Sequence, residues 1–81
     1  MPKINVAIVD DHAILRSGLR LLINSQIDMH VVAEAANWME AHQLAAQYHP
    51  DVMTVDLSMP GGDSFQQLTR LKQEYPRIKL I

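Results

Sequence analysis

The sequence contains no cysteine, which excludes a disulfide framework and any thiolate metal site and fits a reducing compartment. A long apolar run is missing too. The opening stretch from Ile4 is broken at Asp10 and Asp11, too early for a secretory signal and far short of the ~20 apolar residues of a membrane span. A cytoplasmic protein without membrane contact is therefore expected. Nor is there a basic excess. Seven Lys and Arg against nine Asp and Glu leave a net charge of −2, with no electrostatic footprint for nucleic acid, so this segment by itself is not expected to bind DNA. Repeats, low-complexity tracts and flexible linkers are also absent. The 81 residues give room for one domain, which buries only somewhat more than ~60% of its unfolded surface.

What is present is an alternation of two periodicities. Ile4 to Val9 is almost wholly apolar and β-branched, the pattern of a strand buried on both faces. From Ala13 to about Ser25, Ile14, Leu15, Leu19, Leu21 and Leu22 recur at helical spacing, with Arg16 and Arg20 one turn apart on another face. Met29 to Ala33 predicts a second strand. Asn37, with Glu40 at the capping-box position, predicts the start of a helix that buries Ala41, Leu44, Ala45 and Tyr48 and ends before Pro50. Val52 to Leu57 predicts a third strand, and Ser58 to Asp63 a loop. Ser64 and Gln67 form a second capping-box pair, opening a helix with an apolar stripe of Phe65, Leu68 and Leu71 that stops before Pro76. Lys79-Leu80-Ile81 reads as the start of a fourth strand. Such alternation predicts right-handed βαβ units, hence an α/β fold with an open doubly wound parallel sheet, about three and a half βα units long.

Ligands of such sheets bind beyond the carboxyl ends of the strands, where Asp10, Asp11 and Asp56 all lie. If the first and third strands are neighbours, three like charges meet in one crevice. With no Lys or Arg beside them in sequence, they need a cation, and oxygen-only ligands suit Mg2+. A carboxylate can attack phosphorus, with a metal offsetting the charge on the transferring group. Each residue also has a plainer reading. Asp10-Asp11 could cap the first helix, Asp56 could be a turn residue, and Met59-Pro60-Gly61 is by itself a turn. His12, without a second ligand at metal spacing, reads as a surface or packing residue. Trp38 reads as partial cover for the core near the crevice. His30, His42 and His49 form no cluster and receive no role.

Taken together, Ile8-Val9-Asp10-Asp11-His12, Arg16-Ser17-Gly18-Leu19, Pro50-Asp51-Val52 and Asp56-Leu57-Ser58-Met59-Pro60-Gly61 resemble the receiver domains of two-component response regulators. The likeness runs along the whole of residues 1–81 and is nearest the NarL/FixJ-like subgroup, whose receivers precede a LuxR-type helix-turn-helix domain. The resemblance implies a flavodoxin-like strand order 2-1-3-4-5. It makes Asp56 the phosphoacceptor and Asp11 a Mg2+ ligand, with Asp10 helping directly or through water and Ser58 offering its backbone carbonyl. A histidine kinase would be the partner, and DNA would be reached only through an output domain outside this sequence.

Two departures from the family pattern matter. Ser64 stands where Gly is usual, so the turn must use non-Gly geometry, with Gly61-Gly62 supplying flexibility. Receivers also continue to a Ser or Thr after the fourth strand and a Lys after the fifth, both of which contact the phosphoryl group. The sequence stops at Ile81, and a chain so truncated is expected to phosphorylate slowly, briefly or not at all. Its exposed Leu80 and Ile81 are expected to favour a homodimer or a domain-swapped oligomer. Three functions thus compete: a phosphoryl-accepting signalling switch that is not an enzyme, a non-catalytic interaction or oligomerisation module, and an Asp-nucleophile phosphohydrolase. The last would want a carboxylate where Ser58 stands.

Overall fold

A computed structural model describes residues 3–60 and 62–81. Seven elements follow one another: β1 (Ile4–Val9), α1 (Ala13–Asn24), β2 (Met29–Ala35), α2 (Trp38–Tyr48), β3 (Val52–Val55), α3 (Ser64–Glu74) and β4 (Lys79–Leu80). The four strands form one parallel sheet in the order β2-β1-β3-β4, the doubly wound arrangement expected from the alternation. Consecutive strands β1 and β2 pair, then the chain crosses over β1 to start β3. The order therefore reverses beside β1, at the carboxyl ends of β1 and β3.

The core lies mainly on one face of the sheet. Side chains alternate along a strand, and Ala7 and Val9 of β1 join Met53 of β3, Trp38, Ala41, Leu44 and Ala45 of α2, and Leu71 of α3 in one buried cluster. Val6 and Ile8 point the other way and are also buried. No residue of α1 is buried, however. Ile14, Leu21 and Leu22 stand open to solvent, and Leu19 and Ile23 are half-buried.

Several local expectations are corrected. β2 runs on to Ala35 because a register shift between Val6 and Ala7 leaves Val32 without a partner and lets Ala33 to Ala35 pair with the rest of β1. β3 ends at Val55 rather than Leu57, which is exposed in a turn. Tyr48, in the last turn of α2, is exposed rather than buried, and Phe65 projects into solvent from the first turn of α3. The cap of α3 is Asp63, whose carboxylate accepts from the Phe65 amide, not Ser64. Ser64 is already helical, and its hydroxyl donates to the Leu57 carbonyl. Gly62 takes the positive φ of the loop, +124°; Gly61 lies outside the described residues. Trp38 is fully buried, and its indole Nε1 has no partner among the described residues.

Candidate functional site

The site is built from strand ends. Two backbone bonds carry the ladder one residue past each strand: the Asp10 amide donates to the Ala35 carbonyl at 2.9 Å, and the Asp56 amide to the Val9 carbonyl at 3.0 Å. Both acids are thereby fixed on the sheet rather than on a free loop. Because β1 and β3 are neighbours, Asp10, Asp11 and Asp56 converge, and one ligand atom from each, together with His12, lies within 4.8 Å of the others. Asp10 is the most enclosed, with its side chain 10% exposed, against 20% for Asp56 and 33% for Asp11.

His12 is in the middle of this group. Its Nδ1 lies 2.8 Å from Asp10 Oδ1, 3.0 Å from Asp11 Oδ1 and 3.4 Å from Asp56 Oδ2. The bond to Asp10, followed by the negative charges of Asp11 and Asp10, raises the imidazole pKa above its ordinary value. His12 is a surface residue as expected, its side chain 62% exposed, and it is also paired with the acids. The helix-cap reading of the acids is not met, since the N-cap of α1 is His12 itself, with no capping side-chain bond. Asp10 Oδ1 instead accepts from the His12 amide.

Asp56 is prepared by Ser58. The Ser58 amide and hydroxyl both donate to Asp56 Oδ1, at 2.9 and 2.7 Å, and these two bonds hold the carboxyl below its ordinary pKa against the opposing effect of desolvation. The serine hydroxyl is a contributor that sequence reasoning passed over. Below the turn, buried Met59 anchors the loop in the core, so Met59-Pro60 is more than a bare turn.

Arg16 was also missed. One turn into α1, its Nη1 donates to the Asp10 carbonyl at 2.7 Å, while its Nε pairs with Glu34 of β2 at 3.2 Å; Arg20 reaches the same glutamate at 2.7 Å. The clue was present in two arginines spaced one turn apart on α1. Elsewhere, His42 bonds Gln67 across α2 and α3 and His49 meets the Tyr75 ring edge-on, so neither approaches the acids. A groove of about 580 Å³ lies at the other end of the sheet, between Pro50-Asp51 and Tyr75 to Ile78.

The donor set suits a hard divalent cation. Carboxylates from two strand ends, only partly exposed and with ligand atoms within 4.8 Å of one another, suit the oxygen ligation of Mg2+, which keeps several waters. Residues 6–81 match the family description of the response regulator receiver domain. The chain is 43% identical over 77 residues to the oxygen regulatory protein NreC of Staphylococcus aureus strain JH9, covering 94% of this chain and 36% of that protein. A LuxR-family two-component response regulator from Aurantimonas sp. SI85-9A1 superposes with a TM-score of 0.88 at 33% identity, over 96% of this chain and 56% of that one. RcsB of Salmonella enterica serovar Typhimurium, solved bound to promoter rprA in the presence of phosphomimetic BeF3-, gives 0.90 at 28% identity, over 96% and 40%. The chain belongs to the response regulator receiver domain family. It spans about a third of the length of the relative NreC.

Proposed function

We propose that Asp56 accepts a phosphoryl group from the phosphohistidine of a partner histidine kinase, with Mg2+ held by Asp10, Asp11, Asp56 and the Ser58 backbone carbonyl. The observation that carries this reading is the convergence of three carboxylates at the neighbouring ends of β1 and β3. The two Ser58 donors hold the Asp56 carboxyl below its ordinary pKa, in the ionised form that attacks phosphorus. An Asp56 oxygen forms the new O–P bond as the donor's P–N bond breaks, and the electron pair and a proton go to the departing imidazole. When bound, the metal offsets the charge of the acids and of the transferring group. Asp10 and Asp11 position the cation, and Arg16 fixes the Asp10 backbone that bears one of them. The phosphoryl group stays on the chain, so the domain acts as an acceptor rather than an enzyme.

In a protein built like these longer relatives, the domain controls a DNA-binding output domain in the cytoplasm. Support comes from the relative NreC, named as an oxygen regulatory protein, and from RcsB, solved on promoter DNA. No helix among the described residues is long and apolar enough to cross a membrane. Magnesium-dependent phosphate uptake from a small acyl phosphate, read by intact mass, tests the site. Uptake lost in Asp56→Asn is expected; a folded chain that takes up nothing would overturn it.

One observation favours the rival reading as an interaction module. Ile14, Leu21 and Leu22 of α1 are all exposed, apolar side chains suited to pairing with a second copy as a homodimer or swapped oligomer. Sedimentation showing a strict monomer at high concentration would dismiss it.

A further inference from the structure

Asp10 follows β1, and the sheet holds it by its amide, which donates to the Ala35 carbonyl at 2.9 Å. β2 ends at that residue, so the strand offers the Asp10 carbonyl no donor. Arg16 Nη1 supplies one at 2.7 Å. Because a peptide is planar, the group that holds this carbonyl also sets the plane of the Asp10-Asp11 peptide and the direction in which Asp11 leaves the strand. Arg16 is fixed in turn by Glu34 of β2, whose Oε1 lies 3.2 Å from Arg16 Nε and whose Oε2 lies 2.7 Å from Arg20 Nη1. The side chains of Arg16 and Glu34 are only 22% and 23% exposed, so solvent screens this pair less than an open one. Glu34 owes its face of the sheet to the register shift between Val6 and Ala7, which pairs it with Ile8. Ile8 points away from the core cluster, and paired residues share a face. In the register that precedes the shift Glu34 would stand beside Val9, a member of that cluster, since a slip of one residue turns every side chain over.

We propose that Glu34 is a positioning residue for the acid site: acting through Arg16, it fixes the peptide between Asp10 and Asp11 and so sets where the Asp11 carboxylate stands. This rests on the reading of Asp11 as a Mg2+ ligand. Mg2+ demands near-ideal octahedral geometry, so freedom in that peptide costs affinity. The link requires arginine. Its planar guanidinium holds the carbonyl with one nitrogen and the carboxylate with another, whereas the ammonium of a lysine is a single point charge without that fixed fork. Arg20, 47% exposed, bonds Glu34 but not the acid-bearing peptide.

Glu34→Gln, Arg16→Lys, the double variant, Arg20→Gln and Asp11→Asn are compared with the wild-type chain by MgCl2 calorimetry and by amide NMR without metal, with urea midpoints recording stability. Glu34→Gln and Arg16→Lys are each expected to weaken Mg2+ by about tenfold, and the double variant by no more than either alone, because both act on one peptide. Arg20→Gln also removes an ion pair from Glu34, and any fall in its urea midpoint should come without loss of Mg2+ affinity. In the metal-free chain the Asp11 amide nitrogen resonance should shift alike in Glu34→Gln and Arg16→Lys, since a donor on the Asp10 carbonyl polarises the whole peptide. Additive losses in the double variant, an unmoved Asp11 amide, or Mg2+ affinity that merely follows the urea midpoint across all the variants overturns the proposal while leaving the acid site standing. A wild-type chain that binds no Mg2+, or Asp11→Asn that binds it as the wild type does, overturns the metal-site reading and the positioning role with it.

Discussion

Ser58 directs two donors to one oxygen of Asp56, which gives that carboxylate a measurable signature. In Ser58→Ala the hydroxyl bond goes and the amide bond stays, so the Asp56 pKa is expected to rise part of the way to its ordinary value, read by carboxyl carbon NMR titration. The linkage to stability has a definite sign. A depressed carboxyl contributes stability above its unfolded pKa of about 3.9, lost as pH falls through the lower folded value. His12 works in the opposite direction. Its raised pKa contributes stability below about pH 6.5, lost as pH rises through the higher folded value. In the metal-free chain, Asp10→Asn removes the largest cause of that shift, and the His12 proton resonance should titrate at lower pH than in the wild type. Asp11→Asn is expected to weaken Mg2+ more than His12→Ala does, since the proposed site makes only the aspartate a ligand; equal losses would undo that assignment.

At this scale the three aspartates were legible because strand periodicity places them at strand ends. His12 was not, because its role depends on a rotamer that returns the ring over the carboxylates. Nothing in residue spacing encodes such a turn of a side chain. The Ser58 hydroxyl escaped for a related reason: the family pattern assigns that position a backbone role, whereas here the side chain acts as well.

Among the elements, α2 was the most legible. Asn37 accepts from the Glu40 amide as the capping pattern predicts, although Glu40 answers to the Ala36 amide rather than to Asn37. Asn37→Ala is expected to cost about 1 kcal/mol in urea denaturation. Strand and helix ends were less legible. Leu57 continues an apolar run, but once Asp56 has paired with Val9 the backbone turns to bring Ser58 onto its carboxylate. Phe65 shows that an apolar stripe does not guarantee a covering surface for each of its members. The same lesson applies more strongly to α1, whose stripe is as regular as that of α2 yet leaves Leu19 and Ile23 only half-buried and no residue fully buried. Amide hydrogen exchange should therefore be faster across Leu15 to Leu22 than across Ala41 to Ala45, because local opening of α1 sacrifices less apolar burial.

The molecule as a whole has most of its core on one face of the sheet, with Val6 and Ile8 buried on the other, and this fixes where its stability resides. Domains of this kind are stable by about 5–15 kcal/mol, so a single large cavity is felt globally. Leu71 and Met53 are fully buried in the cluster between the sheet and α2 and α3, and Leu71→Ala should cost about 2–5 kcal/mol. Ile14, 90% exposed on α1, is equally apolar but has almost nothing to lose, and Ile14→Lys should stay within about 0.5 kcal/mol of the wild type. The two substitutions should also separate in solution behaviour. Ile14→Lys removes exposed apolar surface and should lower concentration-dependent association in sedimentation and the binding of a hydrophobic dye, without moving the denaturation midpoint. Should Ile14→Lys destabilise the chain as much as Leu71→Ala, α1 would have to be packed in solution, and the open face would then be covered by a second copy.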